Sequence, residues 1–80
     1  MEQKHIIVVC ECGWILCGLA DGDGENDAYL KEAAVVRKWR NGRGIGGLAK
    51  AEYKNEYALD PVGDVVIQKS KILFEIPCEW

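Results

Sequence analysis

Four of the ten lysines and arginines, and four of the nine glycines, fall within eleven residues of a chain whose net charge is −3: Arg37-Lys38-Trp39-Arg40-Asn41-Gly42-Arg43-Gly44-Ile45-Gly46-Gly47. Arginine offers a planar fork of donors matched to phosphate or carboxylate, and glycine lets a backbone approach a ligand closely and adopt φ > 0. The combination describes an anion site. Arg37, Arg40 and Arg43 would grip the charge, while Gly42, Gly44, Gly46 and Gly47 would expose amides just ahead of a short helix, whose N-terminal N–H groups favour an anion. Trp39 inside the segment and Trp14 upstream supply flat faces on which a base can stack. The competing reading is architectural: glycines turn the chain, Trp39 fills the core, and the arginines pair with the surplus carboxylates.

The rest of the polar inventory does not assemble a reaction. With one serine (Ser70), no threonine and one histidine (His5), a nucleophile–base pair would need His5 near one end and Ser70 in a turn, so no enzyme is expected. The carboxylate pairs Asp21/Asp23, Glu25/Asp27 and Asp60/Asp64 sit in turn-like stretches, where water keeps them ionised. An EF-hand counted from Asp21 fails at its sixth position, which is Asn26 rather than glycine. Lys69-Ser70 follows Gln68 and not a glycine, which excludes a Walker A loop, and Gly42-x-Gly44-x-Gly46 lacks the βαβ setting of a dinucleotide fingerprint. Cys10, Cys12, Cys17 and Cys78 lack the paired C-x2-C spacing of a zinc site and are expected to be core thiols, with disulfides as the alternative. Neither metal nor cofactor is expected.

Several elements must position these residues. His5–Cys10 is short and β-branched, the composition of a strand buried on both faces; Trp14–Leu19 is a second apolar run, so the two form a hairpin bending at Gly13. Ala20–Asp27 reads as a solvated loop or a second tight turn. Local pattern leaves Ala28–Asn41 open: Tyr-Leu-Lys-Glu-Ala-Ala favours helix, whereas Val35-Val36 beside Trp39 favours strand. Ile45–Tyr53 carries apolar residues at helical spacing and predicts a two-turn helix. Asp60-Pro61-Val62-Gly63 reads as a turn, and Gly63–Gln68 and Lys71–Ile76 as strands paired across Lys69-Ser70, with Ile72, Phe74 and Ile76 on the buried side.

Length and composition set the frame. Eighty residues make one domain, and at that size a chain buries only about 60–65% of the surface it exposes when unfolded, so self-association would supplement a thin core. The longest apolar run, Ile6–Cys10, is too short to cross a bilayer and lacks the features of a signal peptide, which points to the cytoplasm and away from membranes. A net charge of −3 argues against duplex nucleic acid as a partner. The predicted fold is mainly β (α+β): a small curled antiparallel sheet or barrel of four to five strands with one short helix.

Gly13-Trp14, Ala34-Val35-Val36-Arg37-Lys38-Trp39, Gly44-Ile45-Gly46-Gly47-Leu48-Ala49 and Leu59-Asp60-Pro61-Val62-Gly63-Asp64-Val65 together resemble a pattern found in a group of short bacteriophage and prophage proteins. That pattern runs Ala-x-Val-Ile-Arg-x-Trp-Gly, then Gly-Leu-Gly-x-Leu-Ala, then Leu-Asp-Pro-x-Gly-x-Val. The resemblance covers most of the chain and implies an extended Val35–Trp39. Where similar proteins place glycine directly after tryptophan, this chain has Arg40-Asn41 before Gly42, which makes the loop longer and more basic. Small phage proteins commonly inhibit or sequester components of host immunity. The resemblance therefore implies a counter-defence protein that binds an anionic nucleotide signal. Two other roles fit the same setting: an inhibitor that docks on a host protein through Asp21, Asp23, Glu25 and Asp27, or a minor virion component.

Overall fold

The computed structural model describes residues 4–39, 42 and 44–80, apart from the side chains of Cys12, Asp23 and Lys54. Five strands form one antiparallel sheet: β1 (His5–Cys10), β2 (Ile15–Asp23), β3 (Asp27–Trp39), β4 (Tyr57–Gln68) and β5 (Ile72–Pro77). Their spatial order is β4-β3-β2-β1-β5. The β1–β2 hairpin turns at Gly13, which takes φ 80°, and sets Ile7 opposite Cys17 and Val9 opposite Ile15.

Ile7 and Val8 are adjacent in β1 and both fully buried, so this strand has apolar cover on both faces, as its unbroken β-branched run implied. One face holds Ile7, Cys17, Ala34, Val36 and Tyr57, the first residue of β4, and is covered by Leu48 and Ala49 from the connection between β3 and β4. The other holds Val8, Cys10, Leu30 and Ala33, against which Leu16, Val65 and Ile67 pack. One strand feeds both clusters because β3 is bulged. Glu32 takes φ 50° where the register with β4 slips between Leu30 and Ala33, and its amide donates to Asp64 Oδ1 at 3.3 Å. The extra residue keeps Leu30 and Ala33 on one face and turns Ala34 and Val36 to the other. Opposite this kink, Gly18 leaves no room for a side chain: a Cβ there would lie 3.0 Å from Ala33 Cα.

Five sequence expectations change in the structure. The segment Ile45–Tyr53 is not an α-helix; 3-10 turns form at Ile45–Ala49 and Lys54–Glu56, because Gly46 and Gly47 each cost about 1 kcal/mol in a helix and no side chain caps the first turn. Ala20–Asp23 continues β2 instead of looping, held by pairing of Ala20 with Leu30 and Asp23 with Ala28. Asp60–Gly63 lies inside β4 as an irregular stretch. Gly63–Gln68 and Lys71–Ile76 do not pair with each other: β5 crosses to β1, Ile7 facing Ile76, and the two segments end on opposite edges of the sheet. The 3-10 turn Lys69–Lys71 redirects the chain, with the Lys69 amide donating to Asn26 O at 2.9 Å. Phe74, expected on the buried side with Ile72 and Ile76, is instead 49% exposed, because β5 is an edge strand and only the two isoleucines pack on the core clusters.

Candidate functional site: the Trp14–Arg37 groove

Pairing of β2 with β3 sets Leu16 opposite Val35, and this register brings Trp14, just ahead of β2, beside Arg37 of β3. Trp14 is 60% exposed, unusual for the largest apolar side chain in so small a domain. With Gly13, Ile15, Val36, Arg37 and Asp60 it lines a groove of about 430 Å3. The position of Asp60 follows from β4, whose register places it opposite Val35.

Arg37 Nε donates to the Asp60 carboxylate at 3.2 Å, with both side chains about half exposed. An exposed pair of this kind contributes about 0–1 kcal/mol. A phosphate, which offers the guanidinium more charge and more acceptors, can therefore displace the aspartate at little cost. The groove thus provides a broad aromatic face beside a donor whose present partner is weakly held.

The remaining candidate residues fall elsewhere. Trp39 packs against the first core cluster, its ring 5.7 Å from that of Tyr57, and so serves the fold rather than the groove. Arg40 and Arg43 lie outside the described residues. Gly42 and Gly44 take φ 72° and 66°, left-handed conformations that glycine adopts without strain. Gly46 and Gly47 belong to the 3-10 turn, and Gly47 is buried. Tyr57 fastens both ends of this loop: its ring meets Trp39 at the start, and its hydroxyl donates to Gly44 O at the end. Asp21, of the acidic group, pairs with Lys31 at 3.6 Å.

A second fastening holds the far side of the loop. The Glu79 amide donates to Ala49 O at 2.7 Å and Trp80 Nε1 donates to Leu48 O at 2.7 Å, while His5 packs against Trp80 with ring centroids 4.6 Å apart and planes tilted by 43°. The Glu79 carboxylate accepts from Lys50 Nζ at 3.2 Å and from the Ala51 amide at 3.3 Å; these bonds favour its charged form and hold its pKa below the usual value. A carboxyl with a depressed folded-state pKa adds stability above its unfolded value, about 4.3 for glutamate, and loses it as pH falls through the folded value. Protection of the amides at residues 48–51, taken relative to their intrinsic exchange rates, is accordingly expected to fall as acid is added below about pH 4, and Glu79→Gln is expected to remove that pH dependence while leaving protection in β1 unchanged.

Cys10 and Cys17 are buried thiols, and burial pushes both above the ordinary cysteine pKa, which disfavours the nucleophilic thiolate. Among the described residues, no three His, Cys, Asp or Glu side chains gather closely enough to hold a metal ion, and no helix is long and apolar enough to cross a membrane.

No protein-family model matches the chain, and no curated protein matches it. Among solved structures the fold is similar to that of a heptameric archaeal Sm protein, studied for its implications for the eukaryotic snRNP core; 92% of this chain superposes on 84% of that one with a TM-score of 0.62 and 15% sequence identity. This is an Sm-like fold.

Proposed function

We propose that the protein is a self-associating binding protein that captures an anionic nucleotide, with the base against Trp14 and the phosphate on Arg37. One observation carries the reading: an exposed indole and a loosely paired guanidinium line the same groove. Base–aromatic stacking and a charge-assisted bond from arginine are the two contacts that nucleotide recognition most needs. The poor inventory of bases and nucleophiles favours capture over catalysis. In the setting implied by the resemblance to bacteriophage and prophage proteins, capture removes a signalling nucleotide from host defence. Titration calorimetry against cyclic and ADP-ribose-derived nucleotides tests the proposal: saturable heat at one site per chain supports it, and no heat with any of them rejects it.

Self-association rests on β5. This edge strand is six residues long and exposes Leu73 and Phe74, whereas β4, at the other edge, is interrupted by Pro61 and by the left-handed Gly63. A sheet edge that exposes apolar side chains invites a strand from a second copy, and the structural neighbour is itself a heptamer. Sedimentation is expected to show a multimer of the wild-type chain that Phe74→Lys dissociates; a wild-type monomer at high micromolar concentration contradicts this.

A further inference from the structure

Trp14 borders two grooves, and the nucleotide reading uses only one. The second, of about 640 Å3, lies between the β1–β2 turn and the last four residues of β4, where partly buried Leu16, Val65 and Ile67 meet exposed Val66 and Gln68. Its size falls in the range of small-molecule sites, roughly 300–1,000 Å3, and its make-up, mostly apolar with a few polar groups, matches theirs.

The chemistry of this groove differs from that around Arg37. Its charged groups, Lys71 and Glu11, lie 3.6 Å apart as an exposed pair no stronger than Arg37–Asp60, and what sets this groove apart is the larger apolar surface of Leu16, Val65, Val66 and Ile67. A flat, neutral heterocycle is better suited. It gains the indole face and the valine and leucine surfaces, and the Gln68 amide offers both a donor and an acceptor to the edge of a ring. The other groove that Trp14 borders holds Arg37, the guanidinium that the nucleotide reading places on the phosphate. A ligand that is anionic at one end and a neutral ring at the other matches the two grooves when it lies across the indole.

We infer that the groove of Trp14, Leu16, Val66 and Gln68 is the base subsite, and that the ligand class is a nucleoside phosphate rather than a sugar phosphate or a plain polyphosphate. This inference rests on the nucleotide reading above and adds to it the requirement for a base.

The test compares ADP-ribose and 3′,3′-cyclic di-AMP with two base-free anions, ribose 5-phosphate and tripolyphosphate, by calorimetry on the wild-type chain and on Val66→Ser/Gln68→Ala. Both substituted side chains are exposed, so the fold is retained, as circular dichroism will show. The wild-type chain is expected to bind at least one base-bearing probe about tenfold or more tighter than either base-free anion. The double variant is expected to cut that preference at least about threefold while leaving affinity for the base-free anions unchanged. Equal affinity with and without a base, or a preference that survives in the variant, overturns the subsite and leaves the anion reading standing. Absence of binding by all four probes overturns both.

Discussion

Trp14→Ala is expected to weaken nucleotide binding by about 1–3 kcal/mol, or about 5- to 150-fold, with almost no change in the unfolding midpoint. The separation of the two effects follows from where the indole sits. Trp14 is 60% exposed and belongs to neither core cluster, so truncating it removes a stacking surface without opening a cavity. Trp14→Phe, which keeps a smaller ring, is expected to retain part of the affinity. Trp39→Ala supplies the contrast: that ring packs on the core and on Tyr57, so its removal is expected to lower stability whether or not a ligand is present. Unchanged calorimetric affinity in Trp14→Ala would mean that the ligand binds elsewhere.

Leu48→Ala is expected to destabilise the fold by about 2–5 kcal/mol. Leu48 is fully buried, and it is the main apolar anchor of the segment that covers the first face of the sheet. For a chain of this length total stability is on the order of 4–12 kcal/mol, so one truncation removes a large fraction of it. Urea unfolding should show a lower midpoint with an unchanged slope, and amide exchange should rise first at residues 44–51, before the sheet opens. Leu73→Ala, on an exposed edge residue of the same size, should move the midpoint of the isolated chain by less than about 0.5 kcal/mol. Equal effects from the two substitutions would show that the connection between β3 and β4 is not docked on the sheet.

Local features of the sequence were informative where the physics is local. The β-branched run at Ile6–Val9 gave a strand covered on both faces, and the Gly13 bend gave the first hairpin. The concentration of arginine and glycine marked the stretch from which Arg37 reaches the groove. Long-range pairing was not legible. Gly63–Gln68 and Lys71–Ile76 look like a hairpin because only two residues separate them, yet partner choice depends on β1 offering its free edge to β5. The polar residues of Ala20–Asp23 conceal a strand that exists because β3 lies alongside to pair with it. The Trp14–Arg37 groove depends on the β2–β3 register, and the placement of Asp60 against Arg37 on the β3–β4 register, relations that no spacing in one segment reveals. Burial of Trp39 follows from the slip in that same register between Val36 and Lys38, which returns the ring to the core side.

The most direct measurement is a titration followed by 1H–15N correlation spectra of the tryptophan indole and arginine Nε–H groups. Trp80 Nε1 is bonded to Leu48 O at 2.7 Å and Trp39 packs in the core, so both are internal references. On addition of ADP-ribose or a cyclic dinucleotide, the Trp14 indole and Arg37 Nε–H resonances should move together in a saturable way while those of Trp39 and Trp80 stay in place. A Trp14 resonance that remains stationary at saturating ligand, or shifts confined to Trp39 and Trp80, would contradict the assignment of the groove.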